Sequence, residues 1–282
     1  MKSKVTLQEK FKLLQQQKQA LLATNFYNFE TLKGVLQAAV AVKKPLILQL
    51  TRSSIEYMGL AVAIELAKSM LEFYNVEGWL HLDHGDSYEL VASCLDAGFQ
   101  SVMIDASEKS LEENIKITKT VVKLAEKYGA NVEAELGYVA KLGQDAGKIG
   151  FTEPFEAKFF VEETGVNALA VAIGSAHGFY KEHPKLDLDR LSEINNVTNA
   201  ALVLHGASGI PHPVLREAVQ RGICKINLAT EIKNIFMKSL KNKLANEDEI
   251  DLRKVFPCAT DAVDQLVQDK LLAIQVEELN NI

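Results

Sequence analysis

Cysteine is scarce in this chain. Its 282 residues hold three, Cys94, Cys224 and Cys258, and no two stand in a CxxC pair or at zinc-knuckle spacing. An odd and scattered set excludes a disulfide framework and points to a reducing compartment, the cytosol. No apolar run approaches the roughly 18 residues a membrane span needs, so none is expected. The N-terminal stretch MKSKVTLQEKFKLLQQQKQ lacks an apolar core and a small-residue cleavage site, so it does not read as a secretory signal. Basic residues are outnumbered, 31 Lys+Arg against 37 Asp+Glu, and the net charge of −6 argues against a general nucleic-acid binder. Proline is rare, at six, and no Pro-, Gly- or Ser-rich linker divides the chain. What remains is 48% hydrophobic and 24% charged, which excludes disorder. A chain of this size buries about three-quarters of its unfolded surface and needs neither disulfide nor structural metal to be stable.

Eight short apolar runs recur: Leu21–Phe26, Pro45–Thr51, Gly78–His84, Gln100–Asp105, Asn131–Leu136, Asn167–Ile173, Ala201–His205 and Gly222–Leu228. Each has the length and near-continuous apolarity of a strand buried on both faces. Amphipathic segments separate them, among them Glu30–Val42, Gly59–Tyr74, Glu112–Tyr128 and Pro213–Arg221. Strict alternation of strand and helix predicts a parallel sheet, and eight strands close a (β/α)8 TIM barrel. The competing open sheet would want a glycine-rich turn after its first strand, where ATNFYNFET has none. An extra N-terminal helix over Leu7–Ala20 and C-terminal helices over Lys233–Ala245 and Asp261–Val276 complete one α/β domain spanning 1–282.

Polar residues gather where these strands end: Asn25, Thr51, Asp83 with His84, Asp105, Glu135, His177, His205 and Asn227. A barrel interior is packed with branched apolar side chains, so polar ones cost free energy unless they serve the C-terminal rim. Of six histidines, His84, His177 and His205 fall at or just past strand ends. Three imidazoles around an open position form a catalytic metal site, usually zinc; the alternative is three hydrogen-bonded rim histidines. Asp83 is the general acid/base candidate, or else a carboxylate that only orients a ligand imidazole. Asp105 and Glu135 form a second metal position or hydrogen-bond within the rim. His81 lies deeper on the same strand as Asp83 and reads as a supporting partner, while His183 and His212, beside prolines, read as surface residues. His205-Gly206-Ala207-Ser208-Gly209 and Asn227-Leu228-Ala229-Thr230 follow the last two strands, where barrels bind phosphate on backbone N–H groups. Two ordinary turns, with Thr230 capping a helix, are the alternative.

HLDHG (81–85), SVMIDAS (101–107), VEAELG (132–137), LAVAIGSAHGFY (169–180), LVLHGASG (202–209) and KINLATE (225–231) together resemble the class II, metal-dependent ketose-bisphosphate aldolases. The resemblance runs from about Leu22 to Asp264, and AVAIGSAHG, HGAS and NLATE are more similar to the tagatose-1,6-bisphosphate branch. It implies Zn2+ on His84, His177 and His205, Asp83 as proton donor and acceptor, and Asp105 and Glu135 at an alternative position for a second divalent or a monovalent cation. It places one phosphate and the dihydroxyacetone portion on Gly178, Gly206, Ala207, Ser208 and Asn227 to Thr230, including Leu228 and Ala229, with Asn25 and Thr51 nearby. Arg253, in a DPRKY-like stretch, would reach the second phosphate, from a neighbouring subunit if not its own. The implied reaction is reversible aldol cleavage of fructose or tagatose 1,6-bisphosphate to dihydroxyacetone phosphate and glyceraldehyde 3-phosphate, in a homodimer or homotetramer. One segment departs from the family. After ELG, residues Tyr138 to Gly147 lack the usual Gly-Gly pair and glutamate, leaving Asp145 as the substitute proton-transfer acid. That departure keeps open a different phosphorylated or sulfonated ketose, or a non-catalytic sugar-phosphate binder.

Overall fold

The computed structural model describes residues 5–137, 139–141, 150–178, 180 and 184–275. Its strands in chain order are β1 (Leu21–Asn25), β2 (Leu46–Leu50), β3 (Gly78–Gly85), β4 (Ser101–Ile104), β5 (Asn131–Leu136), β6 (Ala140–Lys141), β7 (Ala168–Val171), β8 (Ala176–His177), β9 (Ala201–Leu204) and β10 (Ile223–Leu228). Eight of them close a parallel barrel in the order β1-β10-β9-β7-β5-β4-β3-β2, while β6 and β8 form a separate two-stranded sheet. Helices lie between successive barrel strands, so the expected (β/α)8 architecture is present. Every expected barrel strand is found. Phe26, Thr51, Asp105 and His205 fall one position beyond their strands, already in the loops of the C-terminal mouth.

The N-terminal helix, Leu7–Gln17, starts at a capping box in which Thr6 and Glu9 hydrogen-bond reciprocally. It stops three residues short of the expected Ala20 because Lys18 turns left-handed (φ 50°). Leu7, Phe11 and Leu14 form its apolar stripe, which joins Leu21, Ala23, Ile47, Trp79, Ala168, Ala170, Ala201, Val203 and Cys224 in a cluster that plugs the N-terminal end of the barrel. The C-terminal helices begin earlier than expected, at Thr230–Asn246 and Pro257–Ala273. The last packs on the helix Phe29–Val42 so closely that a Cβ on Gly34 would lie 2.6 Å from the Thr260 carbonyl. The three cysteines are free, as expected. Among the described residues no helix is long and apolar enough to cross a membrane.

The interior departs from an all-apolar filling. Above the plug, His81, Ser101, Asn131, Glu133 and Lys225 are all fully buried inside the barrel. A bulge in the β10–β9 pairing between Ile223 and Lys225 makes this possible, since Cys224 joins the plug while Lys225 still reaches His81 and Glu133 across the barrel. The charged layer separates the apolar plug from the mouth, where Asn25, Asp83, Glu135 and Asn227 are gathered.

Candidate active site

Two backbone irregularities build the mouth. His81 and Asp83 share the inner face of β3, so strand alternation alone would turn His84 outward. Instead His84 adopts a left-handed conformation (φ 50°) and the β3–β4 register slips between Leu82 and Gly85. Two consecutive side chains, Asp83 and His84, therefore enter the same site. A non-glycine residue held there costs about 1–2 kcal/mol, the kind of strain that persists at functional positions. His177 arrives by a different route: Ala140↔Ala176 and Lys141↔His177 pairing carries β8 over the barrel mouth.

The three predicted histidines converge. Ring centroids are 4.8 Å apart for His84–His205, 5.0 Å for His84–His177 and 5.7 Å for His177–His205. His205 Nδ1 faces His84 Nε2 at 3.1 Å, and His84 Nδ1 meets Asp105 Oδ2 at 2.7 Å. Burial alone would lower the His84 pKa, but the Asp83, Asp105 and Glu135 carboxylates outweigh it and raise it to about 9. Burial, with the charges of His84 and Lys225, pushes His205 well below the ordinary histidine range. Against its own burial, Asp105 is held low by the His84 hydrogen bond. Asp83 is buried, yet His84, His205 and Lys225 keep its carboxyl below the usual range. Its Oδ2 accepts from Asn25 Nδ2 at 3.0 Å and its Oδ1 from Asn227 Nδ2 at 3.3 Å, while Gln49 Nε2 donates to Asn25 Oδ1 at 3.1 Å.

The donor set fits a metal ion. One ligand atom from each of His84, His177 and His205 lies within 4.8 Å of the others, and the same holds for His84, Asp105 and Glu135. Tetrahedral zinc at Zn–N of about 2.0–2.1 Å wants its ligand nitrogens roughly 3.3 Å apart, close to the His84–His205 separation. Glu135 Oε2 is buried without a hydrogen-bond partner, and burial together with Asp105 raises this carboxyl to about 8. Such an orphaned acceptor beside two imidazoles is an environment that a cation completes.

A cavity of about 620 Å³ opens on this cluster. Of the sequence-predicted residues, Asn25, Thr51, Asp83, His84, Asp105, His177, Gly178, Gly206, Ser208, Asn227, Ala229 and Thr230 line it. Gly206 must be glycine: at φ 67°, an added Cβ would lie 2.4 Å from the Ala176 carbonyl. Tyr180 seals that approach, accepting from Ala176 N–H and donating to the Gly206 carbonyl. Thr230 is not the helix cap; Ala229 is, with no cap hydrogen bond from its own side chain, and the N-terminus of Thr230–Asn246 borders the cavity through Ala229, Thr230 and Lys233, with Glu231 N–H donating to Ser208 Oγ at 3.3 Å. Glu231 braces the turn, accepting from Gly209 N–H at 2.9 Å and pairing with Lys270 at 2.9 Å. Thr51 Oγ1 caps Arg52–Met58.

Six predicted residues stand apart from the lining, two of them, His205 and Glu135, because they are buried just behind it. Ala207 and Leu228 are buried beneath it and contribute backbone only. Asp145 lies outside the described residues. Arg253 does not reach the cavity of its own chain, being 89% exposed and paired with Asp251. Because Lys270 and Glu231 bring the last helix antiparallel to Thr230–Asn246, the turn carrying Arg253 lies a helix length away, about 25 Å. His212, as expected, is exposed.

Several residues escaped the sequence reading. Lys233 lines the cavity with its Nζ 5.6 Å from the Tyr27 ring, and Tyr27 itself, pushed up by burial and by Asp83, lines it too. Lys233 stands one helical turn after Ala229, a signal available in the sequence. Glu133 and Lys225, two residues before Glu135 and Asn227, share their strand faces.

Fold and site together define a barrel enzyme with a three-histidine candidate metal centre. The family model described as "Fructose-bisphosphate aldolase class-II" matches residues 5–278, and the chain belongs to this family of aldolases, which are carbon–carbon lyases. It is 39% identical over 279 residues to a fructose-bisphosphate aldolase of Helicobacter pylori, covering 88% of this chain and 91% of that protein. It is also similar to the crystal structure of the YdjI aldolase from Escherichia coli K12, with a TM-score of 0.86, 31% identity, and coverage of 96% of this chain and 97% of that one. A fructose-bisphosphate aldolase structure from Campylobacter jejuni, 20% identical with a TM-score of 0.81 over 96% of this chain and 95% of that one, shares the fold.

Proposed function

We propose that the chain, working as one barrel domain, reversibly cleaves a ketose 1,6-bisphosphate, fructose or tagatose, to dihydroxyacetone phosphate and glyceraldehyde 3-phosphate. The observation that carries this reading is Asp83, a buried carboxyl group whose two oxygens accept from two side-chain amides beside three convergent imidazoles. Zinc, typical of the family, would be held by His84, His177 and His205 and supplies, when bound, a positive charge for the ketone oxygen. Asp83 takes the proton of the C4 hydroxyl as the C3–C4 bond breaks, and returns it in the aldol direction. Asn25 and Asn227 keep its oxygens aimed and ready, because they donate to the charged form. The turn at Gly206 to Ser208 and the first turn of Thr230–Asn246, both on the cavity wall, would hold one phosphate on backbone N–H groups not already taken by Glu231 and Ser208. Lys233 supplies a cation inside the cavity for the multiply negative bisphosphate, a local attraction that offsets the net charge of −6. Glu135 and Asp105 offer a second cation position with His84, and Asp145 is the acid proposed for proton exchange at C3. We place the enzyme in the cytosol as a homodimer or homotetramer.

A coupled assay with each bisphosphate, with and without chelator and restored zinc, tests the proposal. Formation of dihydroxyacetone phosphate that chelation abolishes and zinc restores is the expected result. No product from either sugar overturns the substrate reading and favours the altered-substrate alternative raised by residues 138–147.

A further inference from the structure

Beneath the site the barrel interior holds a chain of buried polar groups that ends on His205. Asn131 Nδ2 donates to Ser101 Oγ at 3.0 Å, and Ser101 Oγ meets His81 Nδ1 at 2.7 Å. Lys225 Nζ lies 3.2 Å from His81 Nε2 and 2.7 Å from Glu133 Oε2. The other carboxylate oxygen, Glu133 Oε1, lies 2.9 Å from His205 Nε2. His81, Glu133, His205 and Lys225 are all 0% exposed. An ion pair this deep is no bargain for stability, since well-packed apolar residues of the same volume are often as good or better.

Donor and acceptor logic gives it another role. Lysine can only donate, so it takes one oxygen of Glu133 and the free nitrogen of His81. The remaining Glu133 oxygen can only accept, so His205 Nε2 must carry the hydrogen, leaving the Nδ1 lone pair facing His84 and the cavity. Asn227 Nδ2, 3.0 Å from His205 Nε2, asks for the opposite tautomer, but the charge-assisted bond to Glu133 is the stronger. We propose that the buried Lys225–Glu133 pair is a positioning device that locks His205 in its Nε2–H tautomer and so fixes Nδ1 as the metal-binding atom. This rests on the reading of His84, His177 and His205 as the metal site.

The test uses the full-length protein and zinc affinity measured by competition with a chromophoric chelator. In Glu133→Gln the amide oxygen goes to Lys225, which leaves the amide N–H facing His205 Nε2 and forces the wrong tautomer. Zinc affinity should fall about 10–100-fold, the usual effect of losing such a partner. In the double variant Glu133→Gln/Lys225→Met the amide is free to turn its oxygen to His205, and most of that affinity should return. A pair with only a structural role predicts no such rescue. Glu133→Gln binding zinc like the parent, or a double variant no tighter than Glu133→Gln, overturns the inference while the metal site stands. Parent protein that takes up no zinc, or a His84→Ala variant that binds it equally well, overturns the site reading and this inference with it. Should the variants not fold, 15N spectra of histidine-labelled parent protein decide: His205 with its hydrogen on Nδ1 overturns the proposal.

Discussion

His84 binds a proton where the site wants a metal, and the competition has a calculable size. Its Nδ1 meets the Asp105 carboxylate and its Nε2 meets His205 Nδ1 at 3.1 Å, so in metal-free protein the proton between the two imidazoles occupies the metal position. With the His84 pKa at about 9, zinc must displace that proton throughout the neutral range. Affinity should rise tenfold per pH unit up to about 9 and level off above it, because one pKa unit is worth about 1.4 kcal/mol. Glu135, raised to about 8, adds a second proton on the acid side of that value. The slope should therefore steepen below pH 8, and Glu135→Gln should retain only the His84 part. The sign for folding is opposite. A pKa raised above its unfolded value of about 6.5 stabilises metal-free protein fully below pH 6.5, and that contribution is lost as pH rises through 9. Titration calorimetry in buffers of different ionisation enthalpy counts the protons released, and chelator competition from pH 6.5 to 9.5 gives the slope. Zinc affinity flat across that interval, with no proton released at pH 7, would refute the reasoning.

Replacing Asp83 with Ala should lower kcat by about 10²–10⁴, the range of a lost general base, with zinc content unchanged by elemental analysis; loss of zinc instead would make Asp83 a structural residue. Gly206→Ala should raise KM for the bisphosphate and lower Tm by several degrees. The left-handed backbone alone costs about 1–2 kcal/mol and the 2.4 Å approach to the Ala176 carbonyl adds to it, so an unchanged Tm would contradict the close packing of these turns.

The order of barrel elements was legible in the residues because parallel strands buried on both faces read as apolar runs whatever their neighbours. So was the ring of polar strand ends, since a polar residue at the close of an apolar run has few inexpensive places to lie. His84, His177, His205, Asp83 and the Gly206–Gly209 turn were found this way. What pattern reading missed depends on register between strands far apart in the chain. Glu133 and Lys225, 92 residues apart, meet only because the barrel closes and β10 bulges at Cys224. The left-handed turn at His84 leaves no compositional trace, and the two-residue strands β6 and β8 are too short to show a period. Arg253 looked suitable by local motif, but the antiparallel return of the last helix carries it a helix length from its own cavity. Sequence by itself determined which side chains were available at the barrel mouth. Tertiary structure decided which atoms they present there, because tautomer and aim are set by partners that only the closed barrel brings within hydrogen-bond reach.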